Sequence, residues 1–450
     1  MTKSNYSASS TCGKGLSRRE FLRLATISIA GAAAGCAVNP VTGDRQLMLM
    51  SEEQEKKIDR QNSPHQFSAD YGPIQDHGLN AYVTEVGSSI ASVSHRPGMP
   101  YSFRVVNATY VNAYAFPGGS IAATRGILLE MDNEAELAAP LGHEIGHVNA
   151  RHTAQRMSKQ MLMGLAVVGV AGAVGMADDR FGGLAAGLGG IGAGLLLASY
   201  SRDDERQADS LGMEYMTKSG QSSKGMVGLM EMLMQQHKKK PNALQMMFST
   251  HPMSDERYST TRSMIGSDYA FAAGRPVRRE RFKDKTAALR RKRTAIEALQ
   301  HGEKAMTEKS YDRAEQSFRK ALSRAPRDYT GLVLMAKCQL AQKNGKNAGA
   351  YARDAIAVSP QEAQAHHICG VAELMQEKYD TALERFTEYE RILPGNPNTI
   401  FLQGLSYEGM NRRREAAERY ARFLDQVQEG EQAKHAYTRL VEWGYIKPAE

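Results

Sequence analysis

The chain has 450 residues, 57 basic and 49 acidic, for a formal charge of +8. At about 150 residues per domain this length predicts two or three domains and excludes a peptide or a small stapled fold. Hydrophobic residues at 42% and charged residues at 24% belong to a globular chain, which excludes bulk disorder and a many-span membrane protein. Residues 1–35 hold a net +4 of the charge, and Arg275 to Arg293 holds ten basic residues against two acidic ones. The rest is mildly acidic. That distribution marks a local basic linker with a solvated face, and nucleic acid is not an expected partner. The cysteines Cys12, Cys36, Cys338 and Cys369 are too few for a disulfide scaffold.

Ser17-Arg18-Arg19-Glu20-Phe21-Leu22-Arg23 is a twin-arginine pattern, and an apolar run from Leu24 to Gly35 follows it. The run is too short for a permanent span and suits a signal segment. It ends in Ala33-Ala34-Gly35-Cys36, which resembles a bacterial lipobox. The resemblance implies that Cys36 is lipidated and becomes the first mature residue. Ala37 in place of Asp then implies sorting to the outer membrane. An acyl anchor holds a protein to a leaflet without spanning it. The alternative is an ordinary signal peptide with a coincidental cysteine.

Residues 37–100 mix polar helical patterns with turns. Tyr101–Val106 alternates as a strand, and Tyr114–Ile121 reads as two short strands around Phe116-Pro117-Gly118-Gly119. Met131–Arg156 has the spacing of one helix. Two uncharged runs, Met161–Ala177 and Phe181–Tyr200, follow. Each has the length of a membrane span, but the second carries seven glycines, which weaken an isolated helix. A pair of core helices or an apolar hairpin is the other reading. Ser201–Ser219 is helical again, and this domain closes near Gly274.

The last third repeats with a step of 34 residues. Pro326, Pro360 and Pro394 form one column. Ala314, Ala348, Ala382 and Ala416 form a second, and Gly302, Ala336, Gly370 and Gly404 a third. Phe318, Ala352, Phe386 and Tyr420 form a looser fourth. Small residues let paired helices approach, and the proline ends the second helix. This resembles tetratricopeptide repeats, four of them, which stack and leave a concave groove. Cys338 and Cys369 fall on first helices of adjacent repeats, either as a pair or as buried thiols.

His143-Glu144-Ile145-Gly146-His147 carries the chemistry. Residues four apart share a helical face, so both imidazoles reach one metal ion with Glu144 beside it as a base. Catalytic zinc takes a third protein ligand and keeps an open position. Glu205 is placed to be that ligand, and Asp209 lies one turn later, where it can fix a histidine tautomer. A surface helix of alternating charge is the competing reading of residues 201–209.

The stretch Leu141 to His152 closely resembles the HtpX/BepA-type zinc metallopeptidases. So do Ser201 to Asp209, Asn39-Pro40-Val41-Thr42-Gly43 and Asn112 to Gly119. The resemblance implies one zinc ion per chain on His143, His147 and Glu205, Glu144 as general base and Asp209 behind the ligands. It implies that His251, before Pro252, can occupy the fourth zinc position and hold the enzyme latent. His152 is expected beside the site without being a ligand. A strand after Gly119 is expected to pair with extended substrate. The fold class is α+β: a mainly helical, gluzincin-like metallopeptidase domain with a small β-sheet, followed by an all-α repeat solenoid. The expected organisation is a signal peptide over 1–35, a metallopeptidase domain over 36–274, a basic linker over 275–294 and repeats over 295–446. The individual repeats run over about 295–328, 329–362, 363–396 and 397–430. By resemblance the protein is a periplasmic endopeptidase, lipid-anchored to the outer membrane. Its substrates are unfolded or misassembled outer-membrane proteins, and its repeat groove meets them or the assembly machinery. Two alternatives stand beside it: a repeat-based assembly chaperone with a largely latent zinc site, and a peptidase acting at the inner membrane.

Overall fold

The computed structural model describes residues 36–167, 199–239 and 241–447. The signal segment and most of the two uncharged runs lie outside the described residues. Among the described residues no helix is long and apolar enough to cross a membrane.

The chain opens with an antiparallel pair, β1 (Cys36–Val38) and β2 (Arg45–Leu47), then α1 (Glu52–Ala69) and α2 (His77–Ala91). Three strands follow: β3 (Ser102–Val106), β4 (Ala113–Ala115) and β5 (Ser120–Thr124). Their order is β3-β5-β4, with β5 parallel to β3 and antiparallel to β4. The turn predicted at Phe116–Gly119 joins β4 to β5. The strand after Gly119 is thus the central one, paired on both sides, and cannot accept a substrate strand. The two edges are β3, whose outer side carries an isolated bridge from Pro73 to Val106, and β4, beyond which no strand lies among the described residues.

After the short α3 (Arg125–Glu130) comes α4 (Glu134–Ala150), the centre of the domain. Every residue of α4 except Glu136 is buried. A helix covered on all sides belongs inside a core. Its Leu137, Leu141 and Ile145 pack in one cluster with Val83 and Ile90 of α2 and Val105 of β3. The single helix expected over Met131–Arg156 is two. Arg151 takes the left-handed conformation at φ 60° and ends α4, and α5 (His152–Val167) starts anew. The side chain of Arg151 explains the break, since it pairs with the fully buried Glu55 at 3.0 Å and donates to Met50 O.

Next come α6 (Arg202–Lys218), α7 (Lys224–Lys239), α8 (Pro241–Thr250), α9 (Asp255–Gly266) and the short α10 (Ala270–Ala273). Helices α4 and α6 touch backbone to backbone. A Cβ on Gly146 would stand 3.0 Å from Ala208 O, and one on Gly212 would stand 2.8 Å from His143 N. Small residues one turn apart on both helices make this approach possible.

The basic segment is not a solvated linker. It forms α11 (Arg279–Lys285) and α12 (Ala287–Arg291), with Phe282 and Leu289 buried. Arg278 and Arg281 both pair with the buried Glu134 at the start of α4, at 2.9 and 2.8 Å. Arg293 pairs with Glu130 at 3.1 Å. Opposite charge on the amino-terminal domain has folded the segment back as a strap.

The repeats are helix pairs: α13 (Arg293–Thr307) with α14 (Tyr311–Arg324), α15 (Tyr329–Ala341) with α16 (Gly345–Val358), α17 (Ala363–Leu374) with α18 (Tyr379–Ile392), and α19 (Pro397–Gly409) with α20 (Arg413–Leu424). A further helix, α21 (Glu431–Glu442), covers the end. Cys338 and Cys369 are buried free thiols.

The first helices of the first three repeats lie against the amino-terminal domain. Arg125 forms a bidentate pair with Asp328, both buried, with nitrogen–oxygen distances of 2.7 and 3.2 Å. Thr330 donates to Asn107 O and Gln300 to Thr109 O. Glu303 accepts from Tyr71 and Thr109, and Glu362 accepts from Ser68. Part of the surface expected to receive partners is therefore occupied by the chain itself.

Candidate metal centre

Helices α4 and α6 and the turn after α8 bring His143, His147, Glu205 and His251 together. One ligand atom from each lies within 4.8 Å of the others, and all four residues are buried. His143 Nε2 stands 3.0 Å from His147 Nε2 and 3.3 Å from His251 Nδ1. Glu205 Oε1 stands 3.0 Å from His251 Nδ1 and 3.3 Å from His147 Nε2. Ligands about 2.0–2.1 Å from one tetrahedral zinc ion stand about 3.3 Å from each other, so these spacings fit one ion.

The surroundings complete the fit. Asp209 Oδ1 takes His143 Nδ1 at 2.9 Å, which orients that ring from behind. His152 does the same for His147, with Nδ1 to Nδ1 at 2.8 Å, while its Nε2 meets Gln207 at 2.9 Å. It is a neighbour of the cluster and not a member. Glu144 lies 3.5 Å from His251 Nε2. One oxygen of Glu144 is buried without a hydrogen bond. An oxygen left bare in a dry cluster is what a bound cation satisfies.

Electrostatics follow from burial and the close carboxylates. Burial opposes a charge on His143, but Glu205 and Asp209 outweigh it and raise its pKa to about 10. Burial holds His147 well below the usual histidine range. Burial also raises the Glu144 carboxyl, against the pull of His251 and His143. A carboxyl shifted upward in this way moves toward the range useful to a proton carrier.

Two residues at the site carry no motif. Tyr200 stacks on His147, with centroids 3.8 Å apart and planes at 19°. Arg257 of α9 reaches Glu205 and Asp209 of α6. Neither spacing nor periodicity singles out an aromatic beyond an uncharged run, or an arginine in a first helical turn. An apolar pocket lined by Met226, Leu229, Met230, Leu233, Met247 and Phe248 opens onto His143 and Glu144.

Residues 78–265 match peptidase family M48, and residues 299–363 match the tetratricopeptide repeat. The chain carries an M48 peptidase domain. This family is zinc-dependent, and the histidine–glutamate cluster is a set that could hold such an ion. A β-barrel assembly-enhancing protease of Yersinia pestis is 33% identical over 195 residues, covering 42% of this chain and 40% of that one. The protein of the same name from Escherichia coli K12 is 29% identical over 195 residues, covering 42% and 39%. The metalloprotease YcaL of Escherichia coli K12 is 33% identical over 170 residues, covering 38% and 64%. The chain thus spans about two fifths of the assembly-enhancing proteases it matches. The M48 match takes in His143, Glu144, His147, Glu205, Asp209, His251 and Arg257.

Proposed function

We propose that this chain is a zinc endopeptidase of the bacterial envelope, exported by its twin-arginine segment and lipid-anchored through Cys36 at the outer membrane. Its substrates are unfolded or misassembled outer-membrane proteins. The observation that carries the reading is the buried cluster of His143, His147 and Glu205 with Glu144 beside it.

In this reading His143, His147 and Glu205 hold the metal, with Asp209 and His152 behind the two imidazoles. Bound zinc lowers the pKa of water and polarises a carbonyl. Glu144 takes a proton from the attacking water and returns it to the leaving amine. Its main-chain neighbour is Ala115 of β4, which hydrogen-bonds the carboxylate. Substrate pairs as an added strand along the open side of β4, and main-chain pairing tolerates many sequences. The methionine-rich pocket takes an apolar side chain beside the scissile bond. Methionine adapts its shape, which suits varied unfolded substrates. A purely structural zinc site would need no base and would favour cysteines.

His251 favours a second reading in part. It stands inside the cluster, where a fourth ligand would stand, which supports a latent state. Latency lets the chain assist assembly in one state and cut in another. Hydrolysis of casein by wild type, Glu144→Gln and His251→Ala, with zinc content measured alongside, tests both. The reading expects Glu144→Gln to keep zinc and lose about 10²-fold or more in rate, and His251→Ala to cut faster than wild type. Retained hydrolysis in Glu144→Gln removes Glu144 from its role. No cleavage by any variant, with zinc bound, favours the chaperone.

A further inference from the structure

We infer that Arg257 is a positioning residue of the metal centre. Its guanidinium fixes how Glu205 faces the cluster, and it tethers the turn that bears His251. The inference rests on the cluster being the zinc site.

Ser254 caps α9 by accepting from Arg257 N, which sends the arginine side chain back toward α6. There the side chain is 7% exposed and every nitrogen is engaged. Nε and Nη2 grip the two oxygens of Asp209 at 2.7 Å each. Nη1 donates to Pro252 O at 2.9 Å and stands 2.6 Å from Glu205 Oε2. That last contact is a close ion pair between two buried groups. Oε2 is held beside Arg257, 3.5 Å from His143 Nε2, and Oε1 is left facing His147 and His251.

The geometry depends on the shape of arginine. Glu205 and Asp209 are four apart on α6 and so share a face. One planar fork spans both carboxylates and still reaches a third acceptor, which a lysine ammonium on a flexible stem does not. Asp209 in turn orients His143. The carbonyl that Nη1 holds belongs to the residue directly after His251. The same guanidinium therefore sets two ligands and the height of the latch.

The test uses the full-length protein with Arg257→Lys and Arg257→Gln. Zinc affinity is measured by competition with a chromogenic chelator, melting is followed on the zinc-free protein, and His251 exposure is read by modification with diethyl pyrocarbonate. Both variants are expected to bind zinc about tenfold or more weakly, the usual cost of losing an outer partner of a ligand. The zinc-free melt is expected to fall, because two buried carboxylates lose their guanidinium. Zinc affinity and His251 modification are therefore compared at a temperature where each variant is fully folded, with His251 expected to be modified faster. Folded variants that hold zinc like wild type and protect His251 equally overturn the inference. Should both fail to fold, Asp209→Asn empties the fork from its other side. It must then show the same zinc loss and faster His251 modification, and unchanged values overturn the inference. Wild type that binds no zinc sinks the zinc reading instead. The modification rates of the folded variants still decide the tether.

Discussion

At Gly212 the missing Cβ leaves room for His143 N, and at Gly146 it leaves room for Ala208 O. These contacts set the depth at which α6 lies on α4, and with it the distance from Glu205 to both motif histidines. Gly212→Ala should push α6 away by a few tenths of an ångström at least. The expected cost is about 1–3 kcal/mol of stability, as for other overpacked sites. It should come with loss of zinc out of proportion to the loss of folded protein. Melting temperature and zinc stoichiometry on the same sample check this, and a destabilised variant with full zinc would contradict it. The motif supplied the histidines and base in the sequence. The glycine inside it, which reads only as filler, is what lets Glu205 reach the motif histidines.

Among elements, the repeat columns have a packing cause. A Cβ on Gly302, Gly370 or Gly404 would meet the ring of Phe318, Phe386 or Tyr420 at 2.2, 2.6 or 2.5 Å. In the second repeat the partner column holds Ala352, and the small column there carries Ala336 in place of glycine. Gly370→Ala should therefore cost about 1–3 kcal/mol alone. Phe386→Ala should cost about 3–5 kcal/mol alone. The double variant, which copies the second repeat, should cost clearly less than the two together, as denaturant titration of all three would show. Glu362, at the start of α17, gives a pH signature. Burial raises its carboxyl to about 7, opposed by bonds from Ser68 and from the Gln364 and Ala363 main chain, with Tyr329 also near. A carboxyl raised in the folded state stabilises fully below its unfolded value near 4.5, and that contribution fades as pH rises to about 7. Stability is expected to fall over that window, and Glu362→Gln to flatten the fall, in urea titrations from pH 4.5 to 8. Asp70 and Glu303, raised likewise by burial, slope the same way.

For the whole molecule, the Arg125–Asp328 pair lies between the catalytic domain and the repeats with both partners buried. Arg125→Ala leaves a lone buried carboxylate, at a cost of about 3–5 kcal/mol. Calorimetry should then separate one cooperative melt into two, with the repeats melting apart from the M48 domain. A single unchanged transition would show that the pair does not hold them together. The sequence revealed both halves because each has a local period: the four-residue step of the motif and the 34-residue step of the columns. Their contact was not legible. Arg125, Asp328, Glu303 and Glu362 are separated by up to hundreds of positions and follow no spacing. The basic segment misled for the same reason, since its acidic partners Glu130 and Glu134 lie far upstream. The left-handed Arg151 broke a helix that periodicity alone continued, because its reason, Glu55, is equally distant.

The strap has a consequence in time. Synthesis runs from the amino end, and domains fold as they emerge. Every residue of the metal centre, through Arg257, is made before the first repeat begins. A nascent chain that has just passed Gly274 holds its whole cluster. It still lacks the arginines that close Glu134 and the helices that cover Asn107, Thr109 and Arg125. The catalytic half is thus made ahead of its clasp, and the surface that meets the repeats stays uncovered until the ribosome has added them.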